Sequence, residues 1–293
     1  MAHACCKPVP GQDFVTRFDK ALALQRSFNM RYDARLASRV PGMLAALVAQ
    51  QPTRTALVLA LSVAAWTLVA WSALDMGHPL AQLMMPATSH WHLANALAIF
   101  IMWSAMMAAM MLPSSLPMIL TFVHLSTHRR EHARARVFVG AYLLVWTAFS
   151  AVVTVLQWAL QATRLVDPMA ASTSPWLSGL LLLIAGLYQF SPLKRVCLAR
   201  CRSPLGFLLG EWRSGTGGAF RMGLRHGLLC AACCWALMTL LFIGGAMNLA
   251  WVAALAIVVA IEKMAPRGAW IASALGLALI AAGAWKLVAL AAA

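Results

Sequence analysis

Charged residues are scarce in this sequence. They make up 11% of its 293 residues, and only 8 residues are Asp or Glu, whereas a soluble globular domain is usually about 25% charged. Hydrophobic residues reach 62%, which is more apolar surface than a soluble core of this length could bury. The composition therefore excludes a soluble enzyme, a disordered chain, a collagen-like protein and a disulfide-framework protein.

The apolar residues form continuous runs, which favours membrane helices over an outer-membrane barrel. Because a bilayer core of about 30 Å needs about 20 apolar residues per helix, we predict an all-α fold with seven transmembrane helices. They lie at residues 55–75, 93–112, 137–160, 175–190, 227–247, 250–264 and 269–290. The second span continues past Pro113 and Pro117 as a kinked or broken helix. We assign residues 54–293 to this transmembrane domain.

The basic residues indicate the orientation of the chain. Every Lys and Arg except Arg164 and Lys286 lies in a segment that the predicted spans place on one side of the membrane. The positive-inside rule then predicts a cytoplasmic N-terminus and a periplasmic C-terminus. The net charge of +15 is thus attributed to membrane topology, and no nucleic-acid partner is expected.

Residues 1–53 are predicted to be a basic, amphipathic cytoplasmic segment, and they lack the apolar run of a cleavable signal peptide. Within them, residues 13–40 combine Phe and Leu with Arg and Lys. This pattern favours a helix that lies on the anionic inner leaflet, with a partner-binding arm as the alternative.

The strongest chemical pattern is a stripe of soft ligands in the fifth span. His226, Cys230 and Cys234 are spaced four residues apart, and Cys233 follows Cys230 by three, so all four fall on one face of a helix. Thiolate and imidazole groups suit Cu(I) or Zn(II). The alternative is that each Cys is a small apolar residue in a packed helix.

A second cysteine pair, Cys197 and Cys201, is also spaced four residues apart and lies in a basic segment that returns to His226. Five cysteines and one histidine can therefore converge on one site at the cytoplasmic face. The alternative is a thiol pair that binds no metal, and a structural disulfide is not expected on the reducing side of the membrane.

The second span carries a methionine stripe formed by Met102, Met106 and Met110, with Met107 and Met111 beside it. Thioethers bind Cu(I) weakly and exchange it quickly, which suits a relay. The alternative is that these side chains fill gaps between closely packed helices.

Signatures of catalysis are lacking. The sequence has no phosphate-binding glycine loop and no hydrolase elbow, and Glu262 and Lys263, at the end of the sixth span, are expected to pair with each other. We therefore expect no enzyme. The alternatives are a membrane thiol-disulfide oxidoreductase that uses the two cysteine pairs, and a non-catalytic assembly or anchoring subunit.

Two segments carry a family resemblance. Met102–Met118, MWSAMMAAMMLPSSLPM, and Gly186–Gly268, which includes HGLLCAACCW and EKMAPRG, resemble an uncharacterised bacterial family of predicted metal-binding integral membrane proteins. The family is a domain of unknown function, and some of its members are labelled copper chaperones. The resemblance covers roughly residues 90–290 and implies a bacterial inner-membrane location. By its motif, the metal residues would be the following: Cys197, Cys201, His226, Cys230, Cys233 and Cys234.

These observations together predict an inner-membrane protein that binds a soft metal for copper handling or delivery at the membrane. We expect Cu(I), with Zn(II) as the other possible ion. The expected partners are the lipid bilayer and a soluble metal-carrying protein or cuproprotein.

Overall fold

The computed structural model describes residues 40–88, 90–126, 131–265 and 268–291. Its regular elements are all α-helices, and an isolated bridge between Val166 and Ser172 is the only β-type pairing among these residues. The predicted all-α fold is therefore confirmed. The helices are α1 (Val40–Gln50), α2 (Pro52–Leu74), α3 (Pro79–Leu83), α4 (Leu93–Leu125), α5 (Glu131–Ala162), α6 (Pro175–Gln189), α7 (Pro192–Arg202), α8 (Pro204–Glu211), α9 (Gly215–Met238), α10 (Leu241–Gly244), α11 (Leu249–Met264) and α12 (Gly268–Ala291).

The chain divides into two compact units, residues 1–45 and residues 46–293. All helices from α2 onwards belong to the second unit, and the features discussed below lie in it. The amphipathic pattern of residues 13–39 lies outside the described residues, and the predicted boundary at residue 53 stays a prediction.

Five stretches of helix are long and apolar enough to cross a membrane: α2, α4, α5, α9 together with α10, and α12. The helices α6 and α7 meet at a bend of 65° and would make a sixth crossing if they are counted as one. The predicted number of seven is not confirmed. The reason is α11, which has 16 residues, whereas a full crossing needs about 20.

The helix α4 runs without interruption through both of its prolines. Of the two predicted forms of the second span, the broken helix is therefore wrong, and the kink at Pro113 and Pro117 stays a prediction. Proline at position 113 cannot donate the helical hydrogen bond to the carbonyl of Ala109. That carbonyl instead accepts a hydrogen bond of 3.0 Å from the Oγ atom of Ser62 on α2. A neighbouring helix thus satisfies the freed backbone group, as an apolar environment requires.

The helices α5 and α9 pack closely because glycines on α9 remove the side chains that would separate them. A Cβ atom on Gly227 would lie 2.8 Å from Cγ2 of Val145, and one on Gly223 would collide with the backbone oxygen of Phe138. The helix α9 also begins twelve residues before the predicted start of the fifth span. Its candidate ligands therefore lie inside a continuous helix and not at its start.

Candidate functional site

The stripe of soft ligands on α9 faces the protein interior. His226, Cys230, Cys233 and Cys234 are each at most 3% exposed. The thiols of Cys233 and Cys234 donate hydrogen bonds of 3.1 and 2.9 Å to the carbonyl of Cys230, and the side chains of the three cysteines interact with one another. Helical spacing alone thus brings three thiols together.

The cysteines of α7 meet this stripe from the side. The side chain of Cys201 contacts that of Cys233, and Cys201 itself is half-buried. Cys197 is buried and lies within electrostatic range of Cys233. The two predicted pairs therefore do converge in space. We call Cys201, Cys230, Cys233 and Cys234 the thiol cluster, and all of its members are free thiols.

Side chains of two other helices contact the sulfur of Cys230 on α9. The phenol oxygen of Tyr142, on α5, lies 3.2 Å from this Sγ atom and donates a hydrogen bond of 3.1 Å to the carbonyl of Met111 on α4. From α11, the Nζ atom of Lys263 lies 3.1 Å from the same sulfur. Cys230 thus contacts side chains of α5 and α11, and Tyr142 connects it to the backbone of α4.

The ammonium group of Lys263 also reaches α4. Its Nζ atom is 3.4 Å from Sδ of Met111 and 3.3 Å from Oγ of Ser114. The predicted pairing of Lys263 with Glu262 is wrong, because consecutive residues of a helix point in different directions.

Glu262 instead forms a buried ion pair with Lys194 of α7, with 2.7 Å between Nζ and Oε2. Its other carboxylate oxygen accepts a hydrogen bond of 3.0 Å from Gln189. Both charged side chains are 2% exposed. The end of α11 therefore helps to hold α7, which carries Cys201, in place beside the cysteines of α9.

His226 is a buried side chain with unused polar atoms. Its ring lies 5.3 Å from the ring of Tyr142 and 5.7 Å from that of Phe207, measured between centroids. Neither ring nitrogen has a hydrogen-bond partner among the described residues. Buried polar atoms rarely lack a hydrogen-bond partner, and a neutral imidazole nitrogen is a common metal ligand. The orphaned nitrogens therefore fit a ligand role.

The methionine stripe of α4 is also buried, with Met102, Met106 and Met110 each at most 3% exposed. The methionine that reaches the thiol cluster is its neighbour Met111, through Lys263. Met111, Ser114, Tyr142 and Lys263 are the site residues that sequence reasoning did not select. For Tyr142 and Lys263, the sequence did contain a signal, because Tyr and Lys are rare in such apolar surroundings.

The donor set is that of a soft ion: thiols, a thioether and an imidazole suit Cu(I). In the described parts of the chain, no three His, Cys, Asp or Glu side chains form a ready-made set of metal ligands.

Comparison with known proteins identifies the family. The family model PpoB2, described as a copper chaperone, matches residues 100–286, which include the methionine stripe, both cysteine pairs and Lys263. No curated protein and no solved structure matches the chain. The resemblance deduced from the two sequence segments is confirmed, and the chain belongs to the PpoB2 copper-chaperone family.

Proposed function

We propose that this chain is a bacterial inner-membrane protein that binds Cu(I) as cargo and passes it on at the membrane. The observation that carries the proposal is the thiol cluster, in which the side chains of three buried cysteines of α9 and of the half-buried Cys201 of α7 interact. Soft thiolates favour Cu(I), and membership of a copper-chaperone family supports copper as the cargo.

The roles within the site follow from burial. Cys230, Cys233 and Cys234 hold the ion, and His226, with both nitrogens unpartnered among the described residues, completes the ligand set. Cys201 is half-buried and is the thiol through which the ion is exchanged, with Cys197 behind it. Along α4, Met102, Met106 and Met110 form a relay that binds Cu(I) more weakly than the cysteines do.

The topology of the proposal comes from the positive-inside rule, which gives a cytoplasmic N-terminus and a periplasmic C-terminus. The thiol cluster then lies towards the cytoplasmic side. The partner is a soluble copper-carrying protein or a cuproprotein. Because a chaperone passes its ion from ligand to ligand, no catalytic step is required.

Metal analysis of the purified protein tests this proposal. The protein is prepared in detergent under reducing, anaerobic conditions, loaded with Cu(I) or Zn(II), and its bound metal is measured by mass spectrometry. We expect the wild type to hold stoichiometric Cu(I) and the Cys230→Ser/Cys233→Ser/Cys234→Ser variant to lose it. The Cys5→Ser/Cys6→Ser variant removes thiols from outside the described residues and should bind as the wild type does.

One other function has a specific observation in its favour. The side-chain contact between Cys201 and Cys233 would suit a membrane thiol oxidoreductase, in which the two thiols form a disulfide and pass two electrons to an acceptor. That function predicts no bound metal in any variant, together with a disulfide that forms and is reduced reversibly. The metal measurement therefore separates the two proposals.

A further inference from the structure

The surroundings of Lys263 account for every hydrogen that its ammonium group can donate. An ammonium group carries three N–H donors and no acceptor. Three acceptors surround Nζ: Sγ of Cys230 at 3.1 Å, Ser114 Oγ at 3.3 Å and Met111 Sδ at 3.4 Å. The side chain is 8% exposed. A full positive charge is therefore enclosed among sulfur and oxygen atoms at the centre of the site.

No carboxylate is available to balance this charge among the described residues. The adjacent Glu262 is bound by Lys194 and Gln189, and in the described parts of the chain Lys263 forms no ion pair with an Asp or Glu. A buried, unpaired charge is strongly unfavourable. Of the three groups that Lys263 contacts, the thiol of Cys230 is the one that can ionise and supply negative charge.

The charge of the proposed cargo completes the balance. Cu(I) carries one positive charge, so an ion held by two thiolates has a net charge of minus one. An anionic complex of this kind is unfavourable in an apolar interior, as an isolated ammonium group is. Placed side by side, Lys263 and the complex are neutral together.

We infer that Lys263 is the counter-cation of an anionic Cu(I)–dithiolate centre, in which Cys230 and one neighbouring cysteine of the thiol cluster bind the ion as thiolates and the third cysteine of α9 stays a neutral thiol. The inference rests on the proposed function and adds a residue that determines which metal is bound. The complex of a divalent ion such as Zn(II) with the same two thiolates is already neutral. The positive charge of Lys263 would then stay unbalanced. The ammonium group thus favours Cu(I) over Zn(II) at a two-thiolate site.

Metal affinities of charge variants test the inference. Dissociation constants for Cu(I) and Zn(II) are measured by competition with chromophoric chelators, in detergent and without oxygen. Lys263→Met removes the charge, Lys263→Gln removes it but keeps N–H donors, and Lys263→Arg keeps it. The control is Lys286→Met, because Lys286 is an exposed lysine of α12.

We expect Lys263→Met and Lys263→Gln to weaken Cu(I) binding by about tenfold or more and to strengthen Zn(II) binding. Lys263→Arg should retain most of the Cu(I) affinity, and Lys286→Met should equal the wild type. A structural role for Lys263 would lower both affinities together, so the opposite changes for the two metals are the decisive result.

Failure of the inference differs from failure of the proposed function. If the wild type binds no Cu(I), the proposed function is overturned, and the inference with it. If the wild type binds Cu(I) and the neutral variants bind it as tightly, or lose both metals equally, only the role of Lys263 is overturned. Should Lys263→Met fail to fold, the same comparison is made with Lys263→Gln.

Discussion

Glu262 and Lys263 are consecutive residues of α11, and their side chains hold two different helices. Glu262 binds Lys194 of α7 at 2.7 Å, and Lys263 lies 3.1 Å from the sulfur of Cys230 on α9. One turn of α11 thereby fixes the positions of both cysteine-bearing helices. Its oppositely charged side chains do not neutralise each other, because each is committed to a separate partner.

The ion pair between Lys194 and Glu262 is predicted to matter for stability. Glu262→Gln leaves the Lys194 ammonium buried without a countercharge, which costs about 3–5 kcal/mol. The thermal unfolding midpoint in detergent, followed by circular dichroism, should fall clearly. The matched control is Glu211→Gln, which breaks the ion pair between Glu211 and Arg225. Because the Arg225 side chain is 52% exposed, this loss should cost at most about 1 kcal/mol. Equal midpoints for the two variants would contradict the prediction.

The close packing of α5 and α9 is predicted to depend on Gly223. In Gly223→Ala the new methyl group meets the backbone oxygen of Phe138, so the helices must separate at a cost of about 1–3 kcal/mol. At Gly140, on α5, a Cβ atom would have no neighbouring atom within 4 Å, and Gly140→Ala should stabilise its helix by about 0.5–1 kcal/mol. Unfolding midpoints that shift in the same direction would refute this interpretation of the interface.

Met111 is predicted to affect copper affinity more than the residues of the methionine stripe do. Its Sδ atom and the sulfur of Cys230 both contact the Lys263 ammonium, so Lys263 connects the Met111 thioether to the thiol cluster. Met111→Leu should lower the equilibrium Cu(I) affinity several-fold, since leucine keeps the volume but not the sulfur. The control is Met102→Leu, which should leave that affinity unchanged and affect only the rate of loading, followed by stopped-flow mixing. A larger loss in Met102→Leu would reverse the assignment.

Cys201 and Cys233 are predicted to form a disulfide on oxidation. Their side chains are in contact, although 32 positions separate them in the sequence. In a chain whose other cysteines are replaced by serine, diamide treatment followed by peptide mass spectrometry should detect the cross-link. A chain that retains Cys197 and Cys233 instead serves as the comparison and should cross-link less. The opposite ranking would mean that α7 is rotated about its axis.

Part of the candidate site was predictable because it depends on helix geometry alone. Residues three and four apart share a face of any helix, so the stripe from His226 to Cys234 follows from its spacing. The contact of α7 with this stripe was inferred because the basic segment that contains Cys197 and Cys201 returns to His226. By contrast, Tyr142 and Lys263 meet Cys230 across 88 and 33 residues. No local pattern encodes such contacts.

The pairing of Glu262 was missed for a related reason. Opposite charges that are adjacent in sequence suggest a local pair, yet neighbouring positions of a helix are separated by about 100° of rotation. The partner of Glu262 is therefore set by the helix that packs against it, here α7. Similarly, the prolines of α4 suggested a kinked or broken helix, and the sequence does not show that the Ser62 hydroxyl on α2 satisfies the carbonyl that Pro113 leaves free.

The sequence by itself determined that this protein is built of apolar helices and that soft ligands line one of them, because hydropathy and helical period are properties of short segments. Tertiary structure decided which groups surround the sulfur of Cys230. It placed a phenol of α5 and an ammonium of α11 beside that atom, and the ammonium also contacts a thioether of α4. The physical reason is that helix packing, through the glycines of α9 and the buried charges of α11, brings together side chains that no local interaction connects.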